Sequence, residues 1–194
     1  MTSSTVRVFI GIDLPHNFKK QLDSNLSLLK TKYKTFKWVE PENYHLTLVF
    51  LGEVNKDKIN SIAKRTEKVV FEIPGFNLTS YKLNIFPNRQ RIIYLSFFKE
   101  QKLISLANKL KQEFQDYLQH IPQNKFIPHI TVAKSKRSSK QQYIQLKKLL
   151  EKTTIKIQIP INKLYVFSSK LTAHGSIYKK LSEIKLFDSQ EIED

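Results

Sequence analysis

The chain has 194 residues, no cysteine, and 33 basic against 17 acidic residues, for a formal charge of +16. That length suits one domain or two closely packed lobes and permits roughly 70% of the unfolded surface to be buried, while the lack of thiols excludes disulfides, thiolate zinc sites and cysteine nucleophiles. The charge favours a polyanionic partner, RNA, DNA or an anionic metabolite, although it equally serves solubility.

Residues 1–6 lack the basic segment and apolar stretch of a secretory signal, and no run approaches the ~20 apolar residues of a membrane span. A soluble cytoplasmic protein with no membrane partner is therefore expected. Along the chain, apolar alternation and β-branched runs predict strands over residues 6–12, 36–39, 45–51, 76–86, 91–98, 129–134, 155–168 and 176–186. Helical stripes fill the gaps: Phe18, Leu22, Leu26 and Leu29; Ile59, Ile62, Ala63 and Thr66; Leu103, Leu106, Leu110 and Phe114; Tyr143, Leu146 and Leu150. Such stripes are core faces. Pro41, Pro87-Asn88, Pro122 and His174-Gly175 punctuate connections, and no Ser/Gly-rich stretch is long enough to be a flexible linker. Four acids, Asp188, Glu191, Glu193 and Asp194, crowd the last seven residues. Residues 188–194 are read as a flexible tail and residues 1–187 as one domain.

The most informative pattern is a repeat. His45-Leu46-Thr47-Leu48 returns as His129-Ile130-Thr131-Val132, an offset of 84 residues. The same offset sets Arg7-Val8-Phe9-Ile10 on Arg91-Ile92-Ile93-Tyr94, Leu22 and Leu26 on Leu106 and Leu110, and Ile59 and Ile62 on Tyr143 and Leu146. Each half then reads strand, helix, His-x-Thr strand, helix, strand. The expected fold is α+β, with two lobes related by a pseudo-two-fold axis. Each lobe is an antiparallel sheet with helices packed on its outside, and a catalytic groove lies between them. A monomer is expected, since the repeat supplies within one chain what other proteins obtain by dimerising.

In a strand, residues two apart share a face about 7 Å apart, so His45 and Thr47 project together while Leu46 and Leu48 enter the core, and His129 and Thr131 do likewise. Imidazole titrates near pH ~6.5, so one ring can accept a proton from water while the other gives one to a leaving oxygen. The two hydroxyls can hold phosphate oxygens. No metal or cofactor is required. A single His-x-Thr in an apolar strand reads as a structural histidine. Two at equivalent places favour chemistry, because polar pairs on a core face are costly unless every group is bonded. A two-histidine metal site lacks a third ligand beside either motif. His16 reads as a helix-start surface residue, and His120 and His174 as turn or loop residues.

The chain resembles the two-histidine phosphoesterases, and among them the bacterial and archaeal RNA 2′,3′-cyclic phosphodiesterases, historically called 2′-5′ RNA ligases. The likeness covers nearly the whole chain: Arg7 to Pro15, Trp38 through His45 and Thr47 to Gly52, Ile85-Phe86-Pro87 with Arg91, Phe126-Ile127-Pro128-His129-Ile130-Thr131, and Ser169-Lys170-Leu171 with Gly175 and Tyr178. It implies metal-independent hydrolysis of a 2′,3′-cyclic phosphate at an RNA end to a 2′-phosphate. His45 would be the proton donor, His129 the acceptor, and Thr47 and Thr131 the phosphate ligands. The partner would be RNA with a cyclic phosphate end, such as tRNA halves, or a small cyclic nucleotide. Where the family commonly has arginine after the second motif this chain has Lys134, which keeps the charge and loses the bidentate fork. With Lys136, Arg137 and Lys140 it forms a phosphate-tracking rim or an ordinary solvated turn. Arg91 faces the groove or is a strand-start surface residue. Among aromatics near the motifs, Phe126 and Tyr178 are expected to stack on bases, Tyr44 is a weaker platform candidate, and Phe50 is assigned to the core, since residues 45, 47 and 49 share a face. The competing functions are a non-catalytic RNA-end-binding module and a reversible 2′-5′ RNA ligase.

Overall fold

β1 (Thr5–Asp13) is rich in β-branched and aromatic residues, and its Val8, Ile10 and Ile12 are fully buried, as alternation requires when one face packs against helices. The computed structural model describes residues 4–86, 91–118, 125–135, 139–172 and 175–187, and of Arg91, Ser135 and Gln142 only the backbone. The Arg91 side chain, His120, Lys136, Arg137, His174 and the segment 188–194 thus lie outside what it describes. After β1 come α1 (His16–Lys32), β2 (Lys37–Trp38), a 3-10 turn (Pro41–Asn43), β3 (His45–Asn55), α2 (Ile59–Val70), β4 (Phe76–Ile85) and β5 (Arg91–Phe97). Then follow α3 (Gln101–Glu113), α4 (Gln115–Leu118), β6 (His129–Ser135), α5 (Lys140–Lys152), β7 (Gln158–Ile161), β8 (Lys163–Thr172) and β9 (Gly175–Lys185).

The helical stripes bury as their spacing predicts, except that Ile59 and Tyr143, near the starts of α2 and α5, are only half-buried. Phe18, Leu22, Leu26 and Leu29 of α1, Ile62, Ala63 and Thr66 of α2, Leu103, Leu106 and Leu110 of α3 and Leu146 and Leu150 of α5 are all buried. Each large aliphatic residue so placed contributes on the order of 1.5–3 kcal/mol. Thr66 is satisfied in the core by donating from Oγ1 to the Ile62 carbonyl at 2.8 Å. Among the described residues no helix is long and apolar enough to cross a membrane.

Two features depart from the sequence reading. Residues 155–168 do not form one strand: the chain breaks at Asn162, with β7 antiparallel to β4 and β8 antiparallel to β1. Pro160 lacks a backbone donor and sits in the edge strand β7, where that loss costs no ladder bond on the open side. The second departure is that the lobes exchange strands. The sheet runs β7-β4-β5-β6-β3-β1-β8-β9, with β2 paired to β6. β4, from the first half of the chain, flanks β5 of the second, and β8, from the second, flanks β1 of the first. The expected two sheets are continuous along this path through a single pairing, Leu46 opposite Ile130.

Register supplies the third correction. In β1–β3, Gly11 pairs with Thr47 and Ile10 with Val49, leaving Leu48 as a bulge; in β5–β6, Tyr94 pairs with Thr131 and Ile93 with Ala133, leaving Val132 as a bulge. The His-x-Thr strands keep the 84-residue offset, but their partner strands are offset by 83, Gly11 matching Tyr94. Arg7 and Arg91 are therefore not equivalent. A bulge adds one residue to one strand and inverts alternation beyond it. Leu48 and Val49 both enter the core, and Phe50 emerges on the face of His45, in a cluster with Phe9, Tyr165, Phe167 and Tyr178. The assignment of Phe50 to the main core is thus overturned. The bulge at Val132 does the same for Lys134, bringing it to the histidine face.

Candidate active site

The antiparallel pairing of Leu46 with Ile130 dictates what stands on the other face of the junction. His45 lies across from Thr131 and Thr47 across from His129, so the histidines occupy one diagonal of a square and the threonines the other. Diagonal neighbours in such a pair are roughly 7–8 Å apart at Cα, a separation that lets two side chains flank one phosphorus atom. The charge of His129 is felt at His45.

Each ring is oriented by the chain just before it. His45 Nδ1 lies 2.8 Å from the Asn43 carbonyl and His129 Nδ1 lies 2.8 Å from the Ile127 carbonyl. A carbonyl only accepts, so both Nδ1 atoms carry the hydrogen and Nε2 is left to exchange protons. The rings are also walled by aromatics. Tyr178 meets His45 edge-on at 4.5 Å and Phe9 tilts against it at 5.0 Å. Phe86 and Tyr94 stand edge-on to His129 at 5.2 and 5.6 Å.

Both imidazoles are held below the ordinary histidine value of 6.5. At His45 the chief cause is burial; the Asn43 carbonyl opposes it, His129 and Lys19 add to the depression, and Asp13 opposes. At His129 burial again dominates and the Ile127 carbonyl opposes it. Desolvation penalises the cation, so these rings tend to neutrality.

A cleft of about 580 Å³ opens beside the pair, walled by His45, Thr47, Thr131, Lys134 and Tyr178 together with Lys37, Trp38, Asn43, Thr172, Ser176 and Ile177. His129 stands beside this wall and not in it. Phe126 is half-buried against the main core and does not line the cleft. Tyr44 is no platform: it is fully buried and donates from its hydroxyl to Asp23 at 3.0 Å. Lys140 is exposed at the start of α5, and His16 is exposed at the start of α1. The sequence reading missed Phe9, Phe86 and Tyr94, which only the paired register brings against the rings. It predicted the strand that carries Lys37 and Trp38 but not their place at the cleft, which follows from the pairing of β2 with β6. Among the described residues no three histidine, cysteine or carboxylate groups gather as a metal site.

The LigT like phosphoesterase family model matches residues 12–94 and 98–178. An RNA 2′,3′-cyclic phosphodiesterase of Thermotoga maritima is 32% identical over 92% of this chain and 94% of its own length. A protein of the same name from Archaeoglobus fulgidus is 29% identical over 91% and 98%. Of solved structures, LigT of E. coli superposes with a TM-score of 0.74 at 23% identity, covering 96% of this chain and 100% of that one. A Thermus thermophilus protein superposes with a TM-score of 0.75 at 21% identity, covering 93% and 97%. With the family model spanning most of both halves and relatives aligned end to end, the chain belongs to the LigT-like, two-histidine phosphoesterase family.

Proposed function

We propose that the protein is an RNA 2′,3′-cyclic phosphodiesterase that opens the cyclic phosphate at an RNA 3′ end to leave a 2′-phosphomonoester, using no metal. The observation that carries this reading is the junction at Leu46 and Ile130, which sets two carbonyl-oriented imidazoles on one diagonal and two hydroxyls on the other. In-line displacement needs an acid and a base on opposite sides of phosphorus, and the diagonal supplies that arrangement. His129 Nε2 takes a proton from water as the water oxygen bonds to phosphorus. The P–O3′ bond breaks, and the departing 3′ oxygen takes the Nε2 proton of His45, which enters the step as the imidazolium and leaves it as the neutral Nδ1–H ring. Thr47 and Thr131 donate to the non-bridging oxygens, where negative charge grows. Lys134 and Tyr178, at the cleft wall, hold the ribose-phosphate end. The protein acts as a cytoplasmic monomer on RNA ends such as tRNA halves, or on small cyclic nucleotides.

An oligonucleotide ending in a 2′,3′-cyclic phosphate, incubated with the protein and a chelator, tests this. The expected product carries its phosphate on the 2′ oxygen. A 3′-phosphate, a requirement for added metal, or stoichiometric binding without consumption would overturn it, the last in favour of an RNA-end-binding module.

A further inference from the structure

Lys19 is the one charged side chain buried among the described residues, 9% exposed, and nothing in the proton transfers above uses it. Its ammonium, on the first turn of α1, donates to Asp13 Oδ1 at 2.6 Å and to the Glu42 carbonyl at 2.9 Å. Both partners adjoin His45. Asp13 ends β1 directly opposite His45 in the β1–β3 register. Glu42 belongs to the 3-10 turn whose last residue, Asn43, supplies the carbonyl bonded to His45 Nδ1. The other oxygen of Asp13 takes Lys180 Nζ at 2.5 Å, and Lys180 lies on β9 two residues from Tyr178, the ring set edge-on to His45.

Among the described residues the second histidine has no such device. Opposite His129 stands Ser96, whose hydroxyl donates to the Lys82 carbonyl at 2.7 Å. The motifs are alike in sequence, yet an ion cluster ties down one ring only. A buried ammonium seldom adds net stability over an apolar residue of its size, so its value here is geometric: it links helix, strand end and turn at fixed distances.

We propose that Lys19, with Asp13, is a positioning residue for His45: it clamps the 3-10 turn so that the Asn43 carbonyl holds the ring as its Nδ1–H tautomer with Nε2 toward the phosphate. The turnover part of the test rests on the cyclic-phosphodiesterase reading; the spectroscopic part does not. In the whole protein, ¹⁵N NMR of the imidazoles should show His45 as the Nδ1–H tautomer. Lys19→Met should turn this into a mixture of tautomers and leave His129 unchanged. On a cyclic-phosphate oligonucleotide the same variant should lose on the order of 10- to 100-fold in kcat with KM within about threefold of the parent, as expected of a misaligned proton donor. Arg65→Gln, which breaks the α2 to α3 and α4 network with Glu113 and Asp116, should lower stability and move neither readout. Should Lys19→Met fail to fold, adding Asp13→Asn removes the carboxylate that would then have only Lys180 to balance it and is expected to give the same signature. An unchanged His45 tautomer overturns the clamp, whether or not the parent protein turns over the oligonucleotide. A rise in KM at constant kcat overturns it in favour of a substrate contact. If the parent is inactive while the tautomer shifts in the variant, the functional reading fails and the clamp stands.

Discussion

Each imidazole of the facing pair takes its orientation from a carbonyl two residues upstream, and each has its pKa lowered chiefly by burial. Replacing His45 or His129 with alanine should lower kcat by about 10²- to 10⁴-fold with the thermal transition retained, and the double variant should fall far short of the product of the two losses. Steady-state kinetics beside circular dichroism checks both. The pH dependence follows from the direction of the shifts. A depressed histidine binds its proton later than the ordinary value of 6.5 as pH falls, so the bell of kcat/KM should peak on the acidic side of neutrality; a peak on the alkaline side would contradict it. For stability, the unfolded chain takes up protons on these histidines before the folded one does. Their contribution is present above the unfolded value and is lost as pH falls from there through the folded values, measurable by denaturant titration at a series of pH values. The two histidines were legible in the sequence because a pair at equivalent places is far less accidental than one. Tyr44 and Phe50 were not, because burial and a bulge decide their direction and neither leaves a local signature.

At the scale of elements, the paired bulges do the placing. Gly11 shows how tightly: a Cβ built there lies 2.7 Å from the Leu46 carbonyl oxygen, a backbone atom unable to step aside. Gly11→Ala should therefore push β1 from β3 beside Thr47, costing about 1–3 kcal/mol and lowering Tm by roughly 2–4 °C per kcal/mol at this chain length. Turnover should fall with it, because the shift falls on the strand pair that carries His45. Helices were the most legible elements, since leucines at three- and four-residue spacing leave little choice of face. The strand break at Asn162 was not, because apolar, strand-favouring residues stand on both sides of it. Only the need of β4 and β1 for separate neighbours divides that run.

For the whole molecule, one apolar core extends through both ends of the sheet, so thermal unfolding should be a single transition with calorimetric and van't Hoff enthalpies in agreement. The charge of +16 acts at the same scale: the KM for a long RNA should rise steeply with added salt while that for a cyclic mononucleotide changes little, since only the former displaces many counterions. The α+β class and the facing motifs were legible from the repeat, whereas the exchange of strands was not, because periodicity reports which residues form a strand and never which neighbour it chooses. That exchange has a consequence for any cut chain. Severed between β4 and β5, the protein would give an amino-terminal piece holding β1 and β3 without β8, and a carboxyl-terminal piece holding β5 and β6 without β4. Neither fragment should fold when expressed singly. Mixed together they should reassemble and regain turnover, each completing the other as two halves of a torn page.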